Sequence, residues 1–221
     1  MRAIAICKST VAISLLLVAS WASSSVYPET AKLLPLDGHP SGYFGRSIAI
    51  DGDIAVIGAS ESAYVFVRDQ SGNWAEEAKL VASDGLPTDD FGWSVAIDDN
   101  TALVGAVGAR INGSTWGAVY VFTRNAPGNW TEIAKLIASD GHWGDRFGHA
   151  IALQDGTALI GAIGANASPW GPGPGVVYVF TRDGAGEWAE QTKLLPSDGV
   201  EDGLFGCSIV LDGNIALIGA E

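Results

Sequence analysis

The stretch Phe91-Gly-Trp-Ser-Val-Ala-Ile-Asp-Asp-Asn-Thr-Ala-Leu-Val-Gly-Ala106 joins two short apolar runs through an Asp/Asn turn, and the chain writes it four times. The copies run from Phe44 to Ala59, Phe91 to Ala106, Phe147 to Ala162 and Phe205 to Ala220, and the step from Phe to the closing Gly is 14 residues in each. The opening pairs are Phe44-Gly45, Phe91-Gly92, Phe147-Gly148 and Phe205-Gly206, and the closing glycines are Gly58, Gly105, Gly161 and Gly219. Successive copies are 47, 56 and 58 residues apart. A period in this range belongs to a solenoid, a propeller or an array, and it limits the fold more than any other feature of the chain.

The other landmarks keep step with that unit. Lys32, Lys79, Lys135 and Lys193 each precede the next Phe-Gly by 12 residues, and Asp37, Asp84, Asp140 and Asp198 follow the lysines by five. Tyr27, Trp74, Trp130 and Trp188 precede the lysines by five, and Tyr-Val-Phe runs begin at Tyr64, Tyr120 and Tyr178. Each repeat reads as four strands, here A to D, bounded by Gly, Pro, Asn and Asp. Strands A and B carry small residues on one side (Ser94, Ala96) and large ones on the other (Val95, Ile97), so both faces need cover. Strand D alternates, which suits an outer strand with one wet face. A parallel β-helix has shorter, evenly spaced coils; four antiparallel strands per repeat fit an all-β propeller blade. The expected layout is an outer strand at 27–36, blades at 44–80, 91–137 and 147–195, and a partial blade at 205–221.

Residues 1–25 carry Arg2 and Lys8, the apolar run Val11 to Ala19 and small residues at Ser20 and Ala22 to Ser24, which is the three-part pattern of a secretory signal peptide. The alternative, a membrane anchor, needs roughly 20 apolar residues. The domain then spans 26–221, exported and without a membrane span. The formal charge is −13, and it becomes −15 without Arg2 and Lys8 because residues 1–25 hold no acid. Such a chain repels nucleic acid and anionic lipid. Cys7 falls within the leader, which leaves Cys207 without a disulfide partner. No activating neighbour for a reactive thiol is visible in the sequence.

Phe-Gly followed by Gly-Ala across a hairpin, then Gly-Ala-Val-Tyr-Val-Phe, resembles the FG-GAP repeat of integrin α-subunit propellers and secreted microbial proteins. The likeness covers residues 27–221. It implies an integrin-α-like propeller that presents ligands to its D–A and B–C loops, often in cell adhesion. No copy has Pro after Gly-Ala; Ser60, Val107, Ile163 and Glu221 stand there. Many family members carry an Asp-x-Asp-x-Asp-Gly calcium loop between A and B. Here that link is only Asp51-Gly-Asp53, Asp98-Asp-Asn100, Gln154-Asp-Gly156 or Asp212-Gly-Asn214. Calcium takes six to eight oxygens, which so tight a turn does not supply. No cofactor and no metal is therefore expected, and these residues read as turn formers. The recurring Asp37, Asp84, Asp140 and Asp198 read as caps of backbone N–H groups at the D–A loops, with a carboxylate offered to a cation or ligand as the alternative.

The B–C link alone varies in length, from Gly to Tyr over 6, 15 and 17 residues. Loops that vary on a fixed scaffold tend to hold binding properties. Trp116 and Trp170 fall in it and Trp143 in a D–A loop, with Arg110, Asn112, Tyr43 and His142 as neighbours. Aromatics on such a rim could stack on sugars or apolar groups, or each Trp could fold back over its own loop. Asn112, Asn129 and Asn166 open glycosylation sequons. His39, His142 and His149 have no metal-ligand spacing, and no catalytic motif appears, so no catalytic residue is assigned.

The last repeat holds strands A and B only. The chain then reads either as a fragment with more blades to follow or as an open or oligomeric array. The function expected is a secreted, non-catalytic binding or adhesion module for an extracellular protein or glycan. The alternatives are an accessory propeller of a larger exported enzyme and a structural envelope protein.

Overall fold

A computed structural model describes residues 2–7 (backbone only), 31–37, 42–165, 173–197, 199 and 203–221. Three antiparallel sheets of four strands carry the repeats. Blade 1 is β2 (Ser47–Asp51), β3 (Ile54–Ala59), β4 (Ser62–Arg68) and β5 (Trp74–Leu80). Blade 2 is β6 (Phe91–Asp98), β7 (Thr101–Ala106), β10 (Ala118–Ala126) and β11 (Asn129–Leu136). Its B–C link holds the small hairpin β8 (Arg110–Ile111) and β9 (Ser114–Thr115). Blade 3 is β12 (Phe147–Gln154), β13 (Thr157–Ala162), β14 (Val176–Arg182) and β15 (Trp188–Leu194). A half-blade follows, β16 (Ile209–Asp212) with β17 (Ile215–Ala220). The order in each full blade is A-B-C-D, every pair antiparallel. The A strands of successive blades lie close together and the D strands splay apart, so the blades fan about an axis on the strand-A side. This is an incomplete β-propeller of about three and a half blades.

Two positions depart from the expected layout. Residues 31–35 form no strand and join none of the sheets. Leu33 packs instead on blade 1, beside Phe44, Ala55 and Ile57. Residues 27–30 lie outside the described ones. The backbone of Arg2–Cys7 forms β1, parallel to β17, on the edge where a C strand of the half-blade would stand.

The two sides of strands A and B divide between two cores, as their small/large alternation requires. Val95 and Ile97 face blade 1 with Val56 and Val65, whereas Ala96 and Leu103 face blade 3 with Ala158 and Ile160. Trp130 and Trp188 pack into these same interfaces.

The recurring Phe-Gly forms a turn. The N–H two residues after Phe donates to the carbonyl of the residue before it: Arg46 to Tyr43, Trp93 to Asp90, His149 to Arg146 and Cys207 to Leu204, at 3.0–3.2 Å. The third residue of each turn is the Gly, at φ between 89° and 92°. That is the type II geometry, which only glycine meets without strain. The residues that open the turns, Tyr43, Asp90, Arg146 and Leu204, also sit at positive φ, each at a cost of about 1 kcal/mol.

The turn is held because the next blade is built against it. A Cβ on Gly58 would run into the carbonyl of Gly92, one on Gly105 into Gly148, and one on Gly161 into Gly206. The Oγ of Ser47 donates to Gly92 O (3.0 Å) and that of Ser94 to Gly148 O (2.5 Å). Gly-Ala of one blade and Phe-Gly of the next are thus two halves of one backbone seam. Gly105→Ala should cost about 3 kcal/mol and lower the melting temperature by roughly 6–12 °C. Gly184→Ala, where a Cβ meets nothing within 4 Å, is the neutral control in the same thermal denaturation series.

Candidate functional site

The loops at the Phe-Gly end of the blades are fixed by one repeated side-chain lock. The Phe of each Phe-Gly meets the strand-C Tyr edge-on: Phe44 with Tyr64 at 5.6 Å, Phe91 with Tyr120 at 5.5 Å and Phe147 with Tyr178 at 5.4 Å. Each hydroxyl then donates to the Asp of the D–A loop that enters its blade: Tyr64 to Asp37 (2.8 Å), Tyr120 to Asp84 (2.7 Å) and Tyr178 to Asp140 (2.9 Å). Lys79 (2.5 Å), Lys135 (2.8 Å) and Lys193 bind the same three carboxylates. The recurring Asp is therefore held by Tyr and Lys, which its Asp-Gly context does not announce, and Asp84 and Asp140 also accept from their own backbone N–H. The equivalent Asp198 lies outside the described residues.

The ionisation of these groups follows from the lock. Hydrogen bonds from Lys135 and then Tyr120 hold Asp84 below the ordinary carboxylate range. For Asp140 burial works upward, but Lys193 and Tyr178 outweigh it and the net shift is also downward. Burial, then the facing carboxylate, pushes the Tyr120 and Tyr178 hydroxyls well above the ordinary tyrosine value.

On this frame stands the B–C link of blade 2. Its hairpin turns at Asn112-Gly113, both at positive φ (51° and 83°), the conformation that Asn-Gly favours in two-residue turns. Arg110 and Asn112 are exposed. The link is tied to both neighbouring D–A loops: Gly108 N donates to Asp89 O (2.9 Å), Gly144 N to Thr115 O (2.8 Å) and Phe147 N to Trp116 O (2.8 Å). Trp116 is half-buried and lies over Gly141, where a Cβ would meet its ring at 2.8 Å. Trp143, in that same D–A loop, is 77% exposed. His142 is exposed too, with its backbone N–H donated to Asp145.

The structure thus brings Trp116, Trp143, Arg110 and Asn112 into one sector of the rim, and gives the two tryptophans opposite fates. Tyr43 belongs elsewhere. It stands by Arg46, whose guanidinium covers the Trp93 ring at 3.8 Å, and Trp93 in turn meets His149 at 5.5 Å. Burial pushes the His149 imidazole down, and the ring bonds to the backbone of Cys207. This row of Arg46, Trp93, His149 and Cys207, one residue per blade, supplies a neighbour for Cys207 that the sequence did not reveal. Trp170 lies outside the described residues.

The A–B turns hold the blades to each other. Asp51 accepts from Asp99 N (2.7 Å), Asp98 from Asp155 N (2.7 Å) and Gln154 from Gly213 N (2.8 Å), each in the turn of the next blade. Asp53 pairs with Arg68 (2.6 Å).

The FG-GAP repeat profile matches four times, over residues 27–72, 74–122, 130–180 and 188–221. The chain belongs to the FG-GAP repeat family. No curated protein matches it. Among solved structures, the crystal structure of the computationally designed Ika4 protein is similar at 21% identity and a TM-score of 0.47, over 87% of this chain and 94% of that one.

Within these FG-GAP blades a second set of ties went unread in the sequence. Glu132 accepts from both N and Oγ of Ser83 (2.8 Å each), Glu190 does the same for Ser139 (2.9 Å each), and Glu76 accepts from Leu36 N (2.7 Å). Each Glu stands two residues after the strand-D Trp, a recurrence that could have exposed it. The next residue is bulged out of the C–D ladder, and in blade 1 it is Glu77. A bulge re-aims its side chain. Glu77 reaches across the seam to Arg124 (2.5 and 2.8 Å) and to Trp130 Nε1 (3.0 Å). Burial raises the Glu77 carboxyl, but Arg124 and Trp130 outweigh it and hold it below the ordinary 4.5. Its contribution is complete above that value and is lost as pH falls through the lower folded one.

Blade 2 has Ile133 at the bulge instead of Glu. The consequence is visible across the next seam, where Trp188 Nε1 is buried without a partner among the described residues. Ile133→Glu should supply that partner and stabilise the protein by about 1–2 kcal/mol. Denaturant titration reads the effect, with the reciprocal Glu77→Ile losing about 3 kcal/mol.

Proposed function

We propose that this FG-GAP chain is an exported, non-catalytic binding module that offers the rim of blades 2 and 3 to a glycan or protein ligand. The observation that carries this reading is Trp143, 77% exposed on a loop whose backbone and neighbours are fixed by the Asp140 lock and by Trp116. An indole held in the open by a rigid frame loses little entropy on binding, and its apolar face with a polar edge suits stacking on a sugar ring or seating in a protein pocket. Arg110 and Asn112, exposed on the adjoining hairpin, add hydrogen-bond donors to the same sector. Glycan and protein binding screens should identify a ligand whose affinity falls at least about 10-fold in Trp143→Ala, while the melting temperature stays within about 1 °C of the parent. Retained affinity with Trp143 removed would sink the assignment.

The non-catalytic part of the reading rests on how the ionisable groups are spent. Asp37, Asp84 and Asp140 are held by Tyr–Lys pairs, Glu77 by Arg124, and Asp51 and Asp98 by backbone N–H groups. Export is supported by the leader pattern of residues 1–25 and accords with the finding that no helix among the described residues is long and apolar enough to cross a membrane. The same engagement of the turn carboxylates supports a wheel built without calcium. A chelator should therefore leave its melting temperature unchanged, and a drop on chelation, reversed by calcium alone, would overturn that part.

A further inference from the structure

The tip of the D–A loop that enters blade 3 is a four-residue turn tied twice. Asp145 N donates to His142 O (3.3 Å), and Asp145 Oδ2 accepts from His142 N (2.6 Å). The third residue, Gly144, has φ 87°, which is the type II geometry and leaves Trp143 at the apex. Asp145 is only 3% exposed, so water does not compete for the tie. Blade 2 builds the same tie between Leu86 and Asp89, at 3.0 Å in both directions, and sets Pro87 at the apex. The buried Asp is thus a repeated device for holding whatever residue stands there.

Around this turn the repeat departs from itself three times. Trp143 takes the apex that Pro87 holds in blade 2. Arg146 opens the Phe-Gly turn where the other copies have Tyr43, Asp90 and Leu204. The hairpin β8–β9, which the two-residue B–C link of blade 1 lacks, brings in Arg110. Arg110 pairs with Thr115, and Thr115 O accepts from Gly144 N. The backbone of Arg110 therefore stands about 10 Å from the Trp143 turn, two interstrand spacings of about 4.8 Å. Departures of a repeat that gather on one face mark the face that binds.

The sector also departs in charge. Arg46, Arg68 and Arg124 pair with Asp90, Asp53 and Glu77, and Arg182 Nε donates to Gly186 O. Among the described residues, Arg110 and Arg146 make no ion pair and no side-chain hydrogen bond, and both are exposed. The carboxylates of the same loop are already engaged, Asp140 by Lys193 and Tyr178 and Asp145 by His142 N. On a chain of net charge −13, two unanswered guanidinium groups beside an open indole are a local reversal of sign.

We infer that this sector takes an anionic sugar, one that carries a carboxylate or a sulfate, with its ring on the Trp143 indole and its acid group on Arg110 and Arg146. The inference rests on the rim reading above and narrows its ligand. An indole face takes the apolar side of a sugar ring, and a guanidinium fork matches the paired oxygens of an acid group. The acidic surface beyond the sector repels a dense polyanion, so the ligand is a short oligosaccharide with its charge at the site. An extended acidic peptide would need a free strand edge to pair with, and Gly144 already holds that edge of the hairpin at Thr115.

The test is calorimetric titration of the full chain with three probes: trigalacturonic acid, its neutral methyl ester and a sulfated galactan tetrasaccharide. At least one of the two anionic probes should bind, and which one does tells carboxylate from sulfate. Arg110→Gln/Arg146→Gln should weaken that probe by about 10-fold or more, and added salt should weaken it in the parent. The methyl ester should bind about 10-fold more weakly than the acid if the carboxylate is the group read. Trp143→Ala should weaken every probe that binds, whereas Arg182→Gln, at the opposite end of blade 3, should change none. Melting curves check that the variants, all at exposed positions, remain folded. The inference is overturned if neither anionic probe binds, or if the double variant binds them as the parent does. A neutral glycan or a protein that needs Trp143 but ignores both arginines would also overturn it while leaving the binding module standing, as would an acidic peptide held by the same arginines. Binding that survives Trp143→Ala would remove the rim reading itself.

Discussion

Everything in this wheel depends on how closely two stretches of backbone can approach. The Gly of each Gly-Ala lies against the carbonyl of the next blade's Gly, so the A strands at the axis come nearer to one another than side chains of ordinary size permit. Close approach at the axis with bulk further out makes a wedge, and wedges placed side by side make a fan. The bulk is also in the repeat: Phe, Tyr and Phe stack edge-on in each blade. Glycine where the blades meet and aromatics where they widen are two sides of the same shape.

That shape was open to reading because it recurs. A single Phe-Gly says nothing, but four in register with Tyr-Val-Phe and Trp at fixed distances leave few folds to choose from, and the strands followed from their alternation. The ties between blades were harder to see because they join residues far apart in the chain. Asp155 donates to Asp98 across 57 positions, and Ser83 meets Glu132 across 49. The purpose of Glu77 also hinges on a bulge, which moves a residue sideways without leaving a mark in the hydrophobic pattern. At the rim the sequence offered tryptophans as candidates and could go no further. Trp116 and Trp143 are equivalent on paper. The gap over Gly141 receives one of them and leaves the other in solvent. Of the outer strand expected at 27–36, the described residues 31–35 form none, and Leu33 packs on blade 1 instead.

The charges tell a consistent story about where variation is tolerated. Among the described residues, most acidic side chains that repeat at fixed spacing are bound within the protein, to Tyr and Lys, to Arg, or to backbone N–H groups. A chain with a net charge of −13 thus spends a good part of its acid on holding blades together, and its acidity is partly a record of its construction.

The seams are not equally sewn. Between blades 1 and 2 run Ser47, Asp51 and the Glu77 cluster; between 2 and 3, Ser94 and Asp98 remain but the bulge holds Ile133. Between blade 3 and the half-blade, Ala150 has replaced the serine and Gln154 carries the turn contact. Repeat proteins are stable as the sum of their units and the joints between them. The seam between blade 3 and the half-blade, which has lost the serine tie, is where local opening and proteolytic nicking would begin first.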